Sequence, residues 1–344
     1  MMIVLIVSGM LLLQHAVSYV SHCSRYADTK LGATILGGRF QSAQSTPDDD
    51  VFKSIQKVIS DHYDIKSKVL PWKQSVQLER ELVYMPMLEQ QLNLIKKMGM
   101  EEVKVDEKFV YRKSDNKPAV IGNLCFKNDR FRSVRLTYFD AGDSCQVFNS
   151  LWYPSYEYDT PLFGVDLISL GKNRVLSVID FQPLHPTSEY SARYIQPLGA
   201  IREKYFDLQG TLSGKFYDDT SFFSKNMLFG RFTDESKLKS VVLPAYSEYL
   251  HEYIKLMDKA VPNHDAKAVE VVKNRQVAYD VYSAAKDPAI GLFDAYFGKQ
   301  WSSSFVSDFL FTLSKTNDLG STSANSPVHN FQLTNSGMIA GPKN

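Results

Sequence analysis

Asp166 stands inside an apolar run, with Leu162, Phe163 and Val165 before it and Leu167 and Ile168 after it. A carboxylate in a strand with apolar neighbours on both sides loses hydration. Its pKa then rises, and it can hold a proton at neutral pH unless a cation or donors compensate. That is the property a proton donor needs, although for the strand alone a strand-end or solvated outer-face aspartate is the more ordinary explanation. A second carboxylate, Asp287, directly precedes Pro288. Asp-Pro commonly opens a helix with the carboxylate as its cap, and by itself Asp287 reads as a cap. Asn149 carries an amide that can hydrogen-bond but cannot shuttle protons, or it is simply a turn or strand-end amide. Asp140 and Asp143 flank a glycine-containing turn, where turn chemistry is the better account. His185 follows Pro183-Leu184 in a loop and reads as solvated. Trp152 and Phe163 fit a pocket lining and a packed core equally well.

These residues need a sheet to hold them. Short β patterns run through 102–112, 119–127, 132–139, 145–153, 162–170 and 174–182. Turn signals at Ser114-Asp115-Asn116, Ala141-Gly142-Asp143 and Gly171-Lys172-Asn173 separate them, which predicts an antiparallel meander. Before the sheet, 50–64 place Val51, Ile55, Val58 and Ile59 at helical spacing, and 74–98 predict a second helical stretch interrupted at Pro86. After it, helical patterns occupy 187–205, 240–260, 265–285 and 298–314. Strands flanked by helices predict an α+β fold, a three-layer α/β/α sandwich whose central antiparallel sheet carries helices on both faces. No internal repeat or linker interrupts residues 49–315, which read as one domain.

Composition narrows the function classes. Charged residues make up 22% of the 344 and nearly balance, at net +1, so no polyanion partner is implied and the electrostatic footprint of a nucleic-acid binder is missing. Aromatic residues reach 12%, which suits a large core or a pocket for a flat conjugated ligand. The three cysteines (Cys23, Cys125, Cys145) have neither disulfide-framework nor metal-site spacing, so no metal site is expected. No GxGxxG, CxxCH or P-loop string marks a bound redox cofactor.

The ends have a different character. Residues 1–23 hold an apolar run, Ile3–Leu13, too short to span a bilayer and similar to a signal peptide. Residues 24–48 have the basic, hydroxyl-rich, acid-poor composition of a transit peptide. Together they read as the two-part address of an algal plastid bounded by extra membranes. The segment 316–344 is rich in Asn, Ser, Thr and Gly and reads as a flexible tail.

An ordered set of short strings then stands out over roughly 120–313. It runs through Phe131-Arg132, DAGDSCQVFNS (140–150), Tyr158–Leu167 with Asp166, and Asp180-Phe181-Gln182-Pro183-Leu184. It continues with Phe222-Phe223-Ser224, Leu228–Arg231, Tyr279–Ser283, Lys286-Asp287-Pro288, Phe297–Trp301 and Phe309-Leu310-Phe311. Together these strings resemble the ferredoxin-dependent bilin reductases. The DAGDS…QVFNS and YDVYSAAKDPAIGLF strings look most like the branch that forms 15,16-dihydrobiliverdin.

The resemblance implies an antiparallel sheet between helices, with an open-chain tetrapyrrole bound between the sheet and the C-terminal helices. It implies a two-electron reduction of the C15–C16 methine bridge of biliverdin IXα through bilin radicals. No cofactor is bound in this chemistry, and electrons arrive singly from a reduced plant-type 2Fe–2S ferredoxin. Asp166 matches the family's sheet aspartate and Asp287 its second aspartate, both as proton donors. Asn149 stands where the four-electron, phycocyanobilin-forming branch has a histidine, which argues against that chemistry here. Arg231 is a candidate partner for a bilin propionate, with Arg132, Arg135 and Lys225 as competitors; Phe163 is a candidate for the pocket wall. Expected partners are biliverdin, ferredoxin and a following bilin reductase that takes the product, with the chain itself monomeric and not membrane-bound. The alternatives are a phycoerythrobilin-forming relative that reduces the A-ring diene system and a non-catalytic bilin carrier or lyase.

Overall fold

A computed structural model of the protein describes residues 82–315, apart from Asn116, Lys172, 211–221 and Pro288, together with 332–333 and 339–340. The predicted helix at 50–64 and the predicted leader over residues 1–48 lie outside the described residues.

Helix α1 (Met85–Lys97) comes first. Pro86 begins this helix rather than interrupting it, because a proline in the first turn forfeits only an N–H that has no helical partner. The predicted strand 102–112 is broken. A two-residue strand β1 (Glu101–Glu102) is followed by a helical turn α2 (Glu107–Val110), which Asp106 caps by accepting from the Lys108 N–H, and then by β2 (Tyr111–Lys113). The other strands fall close to expectation: β3 (Val120–Lys127), β4 (Phe131–Asp140), β5 (Cys145–Pro154), β6 (Leu162–Leu170) and β7 (Val175–Gln182). A further strand, β8 (Leu228–Phe232), closes the far edge. The order is β1-β3-β4-β5-β6-β7-β8, with β2 also on β3, and every pair is antiparallel. At the β4–β5 turn, Asp140 accepts from the N–H of Gly142, whose φ of +61° suits glycine.

The predicted 187–205 helix divides into α3 (Ser188–Tyr194), a 3-10 turn and α4 (Gly199–Lys204). Next come α5 (Leu243–Lys259) and α6 (Ala266–Lys286), the latter capped by Asp265, then α7 (Ala289–Phe297) and α8 (Lys299–Phe305). The chain continues from α8 as a π-helical and then a 3-10 turn to Lys315. Within 316–344, Gln332–Leu333 pairs with Ile339–Ala340.

Both faces of the sheet are covered, so β5 is buried along its whole length and β6 at all but its last residue. That is why the central strands read as apolar runs rather than clean alternation. One face packs on α1 and α5: Gln91 accepts from Ser150 and Trp152, and Phe163 and Phe181 meet Tyr253. The opposite face packs on α6 and α7, where Tyr279 donates to Gln182, Tyr153 donates to Asp280, and Phe139 meets Tyr296 edge-on. The three-layer expectation holds.

Candidate active site

Strand register builds the site. Asn123, Thr137, Asn149 and Asp166 are successive cross-strand partners on β3, β4, β5 and β6, so their side chains form one polar row on the face beneath α6 and α7. Asp166 is fully buried. Its Oδ1 accepts from Asn149 Nδ2 at 3.4 Å, while its Oδ2 has no hydrogen-bond partner among the described residues. Burial pushes the carboxyl well above the ordinary carboxylate range and the nearby Asp287 adds to the rise, against smaller opposing effects of Asn149 and Arg135. A buried carboxyl that favours its protonated form, with one oxygen unengaged, is equipped to give a proton to whatever lies beside it.

Asp287 approaches from the helix side. It lies between α6 and α7, where its Oδ1 accepts from the Ala289 N–H at 2.8 Å, so the capping reading is right. The same residue lines a cavity with Arg135, Thr137, Phe139, Val147, Asn149, Phe293, Leu310 and Phe311. Capping and facing the site are compatible, since the cap fixes the carboxyl at a helix end that opens onto the sheet.

Beside Asp166, Gly164 is required by close approach. A Cβ there would come within 2.8 Å of the Gln182 side chain, which accepts the Tyr279 hydroxyl proton at 2.6 Å. Also on this face, Asp180 accepts from the Ser224 N–H at 2.8 Å and from the Ser224 hydroxyl, and burial raises its pKa to about 7.

Not every expected residue joins the row. Phe163 is corrected: three residues from Asp166 on one strand, it points to the opposite face and stacks on Tyr253 at 5.1 Å in the α5 core. Trp152 belongs to the same core. Lys225 is exposed, in the turn that follows Ser224. Arg231 shares the Asp166 face by register but stands on edge strand β8, exposed, with its guanidinium over Phe229. Arg132 stacks over Tyr153 at 4.1 Å and donates to Gln276. His185 is held at 2.8 Å from Asp159 Oδ1 and is largely covered, a correction to its reading as solvated. The residue whose position sequence reasoning missed is Arg135, buried at 3% exposure beside Asn149. Its signal was an arginine in the middle of an apolar interior strand.

Among the described residues, no group of three or more His, Cys, Asp or Glu could hold a metal ion, and no helix is long and apolar enough to cross a membrane. Fold and site define a class: a protein with one antiparallel sheet between helix layers, with a buried carboxyl on the sheet and a second carboxyl, at a helix junction, lining the cavity beside Asn149.

Comparison with known proteins gives that class its family. The family described as ferredoxin-dependent bilin reductase matches residues 88–312, and the chain belongs to it. The chain is 39% identical over 232 residues to the 15,16-dihydrobiliverdin:ferredoxin oxidoreductase of Nostoc punctiforme, covering 67% of this chain and 95% of that protein. It is 40% identical over 232 residues to the protein of the same name from Gloeobacter violaceus, with the same two coverages. In fold it is similar to phytochromobilin synthase from tomato, solved in complex with biliverdin, at a TM-score of 0.64 and 22% identity, over 74% of this chain and 91% of that one.

Proposed function

We propose that the protein reduces the C15–C16 methine bridge of biliverdin IXα to 15,16-dihydrobiliverdin. Two electrons arrive one at a time from reduced ferredoxin, through a bilin radical, and two protons complete the saturated bridge. Asp166 supplies one proton through Oδ2, and Asp287 serves the other side of the pigment. Asn149 binds without shuttling protons, which suits a two-electron rather than a four-electron reduction. Arg231, at the sheet edge, takes a propionate that reaches toward solvent.

The single observation that carries this reading is the fully buried Asp166 carboxyl, unengaged at Oδ2 among the described residues, beside Asn149 on the sheet face toward Asp287. A carrier needs a pocket and a propionate clamp, but it has no use for such a group. The names borne by the cyanobacterial relatives support the choice of bond. The same reading has the protein monomeric, handing its product to a following bilin reductase in an algal plastid reached through the leader of residues 1–48.

The test is an anaerobic assay of purified protein with biliverdin, ferredoxin and a ferredoxin-reducing system, followed by absorbance and by chromatography of the product. Loss of the biliverdin band to a shorter-wavelength species that co-elutes with 15,16-dihydrobiliverdin is expected. A product reduced at the A-ring diene system would redirect the reading to phycoerythrobilin-type chemistry. A stable bound-pigment spectrum without turnover would identify a carrier.

A further inference from the structure

Arg135 occupies the interior of β4, buried at 3% exposure, with no carboxylate within ion-pair distance among the described residues. Burying a guanidinium is costly unless its donors are used. Its Nη1 donates to Asn149 Oδ1 at 2.8 Å and stands 3.5 Å from Thr137 Oγ1. The Thr137 hydroxyl donates to Asn123 Oδ1 at 2.7 Å, and Asn123 Nδ2 donates to the Phe109 carbonyl at 2.5 Å. A guanidinium can only donate and a backbone carbonyl can only accept. The direction of every bond in the row is therefore set chemically, and so is the orientation of the Asn149 amide. With its oxygen held by Arg135, Asn149 turns Nδ2 toward Asp166 Oδ1.

We propose that Arg135 is a positioning residue that acts through Asn149 to fix which oxygen of Asp166 carries the transferable proton. Because Oδ1 is held as an acceptor of an N–H, a proton on this carboxyl resides on Oδ2, the oxygen without a partner among the described residues. Without Arg135 the amide is free to rotate half a turn and offer its own oxygen to Asp166. The proton is then drawn into the Asn149–Asp166 contact and away from Oδ2. The inference rests on the reading of Asp166 as proton donor.

Charge acts in the same direction. Charged or titratable groups on this side of the sheet include Cys125 on β3, Arg132 and Arg135 on β4, Tyr153 on β5, Asp180 on β7, Arg231 on β8, Tyr279 and Asp280 on α6, Asp287 at the α6–α7 junction and Tyr296 on α7. Tyr153 is bonded to Asp280, Tyr279 to Gln182 and Asp180 to Ser224. Of these cations Arg135 is the one that opposes the rise at Asp166, so its loss raises the proton affinity of Asp166 further.

The test compares Arg135→Lys (donor and charge), Arg135→Gln (donor without charge) and Arg135→Met (neither) in the full chain. The Asp166 carboxyl is followed against pH by infrared spectroscopy of substrate-free protein, its C=O band identified by loss in Asp166→Asn. The Lys variant should titrate as wild type. Gln and Met should titrate higher by about one pH unit, a tenfold gain in proton affinity. In turnover, Met should lose kcat while KM for biliverdin stays within about twofold, and Lys should restore kcat. Should Met fail to fold, the Gln and Lys pair decides the titration. Identical band midpoints in the folded variants would overturn the proposal. A shifted midpoint with unchanged kcat in every variant would overturn the donor reading of Asp166, and the proposal with it.

Discussion

Asn149 and Asp166 are direct cross-strand partners, and the amide nitrogen of one lies 3.4 Å from a carboxyl oxygen of the other. This pairing joins a group that cannot release a usable proton to one that holds its proton unusually tightly. Of the two, only the carboxyl can give up a proton.

Asp166→Asn should keep bilin binding and lose turnover by about 100-fold or more, the usual scale for removing a general acid. Single-turnover absorbance with reduced ferredoxin reads it, and a wild-type rate and product would remove Asp166 from the mechanism. Burial and Asp287 raise the Asp166 pKa well above the ordinary carboxylate range, which favours its protonated form. Reduction should therefore persist above the ordinary carboxylate range and fall only as pH rises through the raised value.

Asp287 has two roles that different substitutions separate. Asp287→Asn keeps a good cap for the Ala289 N–H, whereas Asp287→Ala removes it at a cost of about 1 kcal/mol. Denaturant midpoints should distinguish the two variants, and both should lose activity. An active Asn variant would reduce Asp287 to a cap.

Phe163→Leu should cost about 1–2 kcal/mol through lost stacking on Tyr253. KM for biliverdin should not change, because the ring lies on the far side of the sheet. A large KM effect with little loss of stability would return Phe163 to the pocket wall.

Asp180 is raised to about 7 in the fold from an ordinary 3.8. A folded-state pKa above the unfolded one gives stability that is complete below about pH 4 and is lost as pH rises toward 7. Wild type should therefore lose more stability over that window than Asp180→Asn, by a few kcal/mol at most. Parallel pH dependences of the two unfolding midpoints would show that Asp180 does not hold its proton.

Much of the fold was legible because strands and helices leave local marks. Turn residues set the meander, and 3.6-residue spacing set Tyr246, Leu250, Tyr253 and Met257 on α5. Local pattern failed where a competing local interaction broke a run, as the Asp106 cap does within 102–112. Strand parity was also available for Phe163 and Asp166, since an odd separation puts two residues on opposite faces.

The sequence by itself determined the presence of a carboxylate in an apolar strand, the order of the family's motifs, and the amide at 149 that limits the proton chemistry. Only the tertiary structure decided which face each strand residue serves, that Asp287 caps a helix and faces the site at once, and that a buried Arg135 holds Asn149. The reason is that register pairs residues 12 to 17 positions apart, as in Thr137 with Asn149 and Asn149 with Asp166. No local periodicity encodes that distance; it is set by closing the sheet between two helix layers.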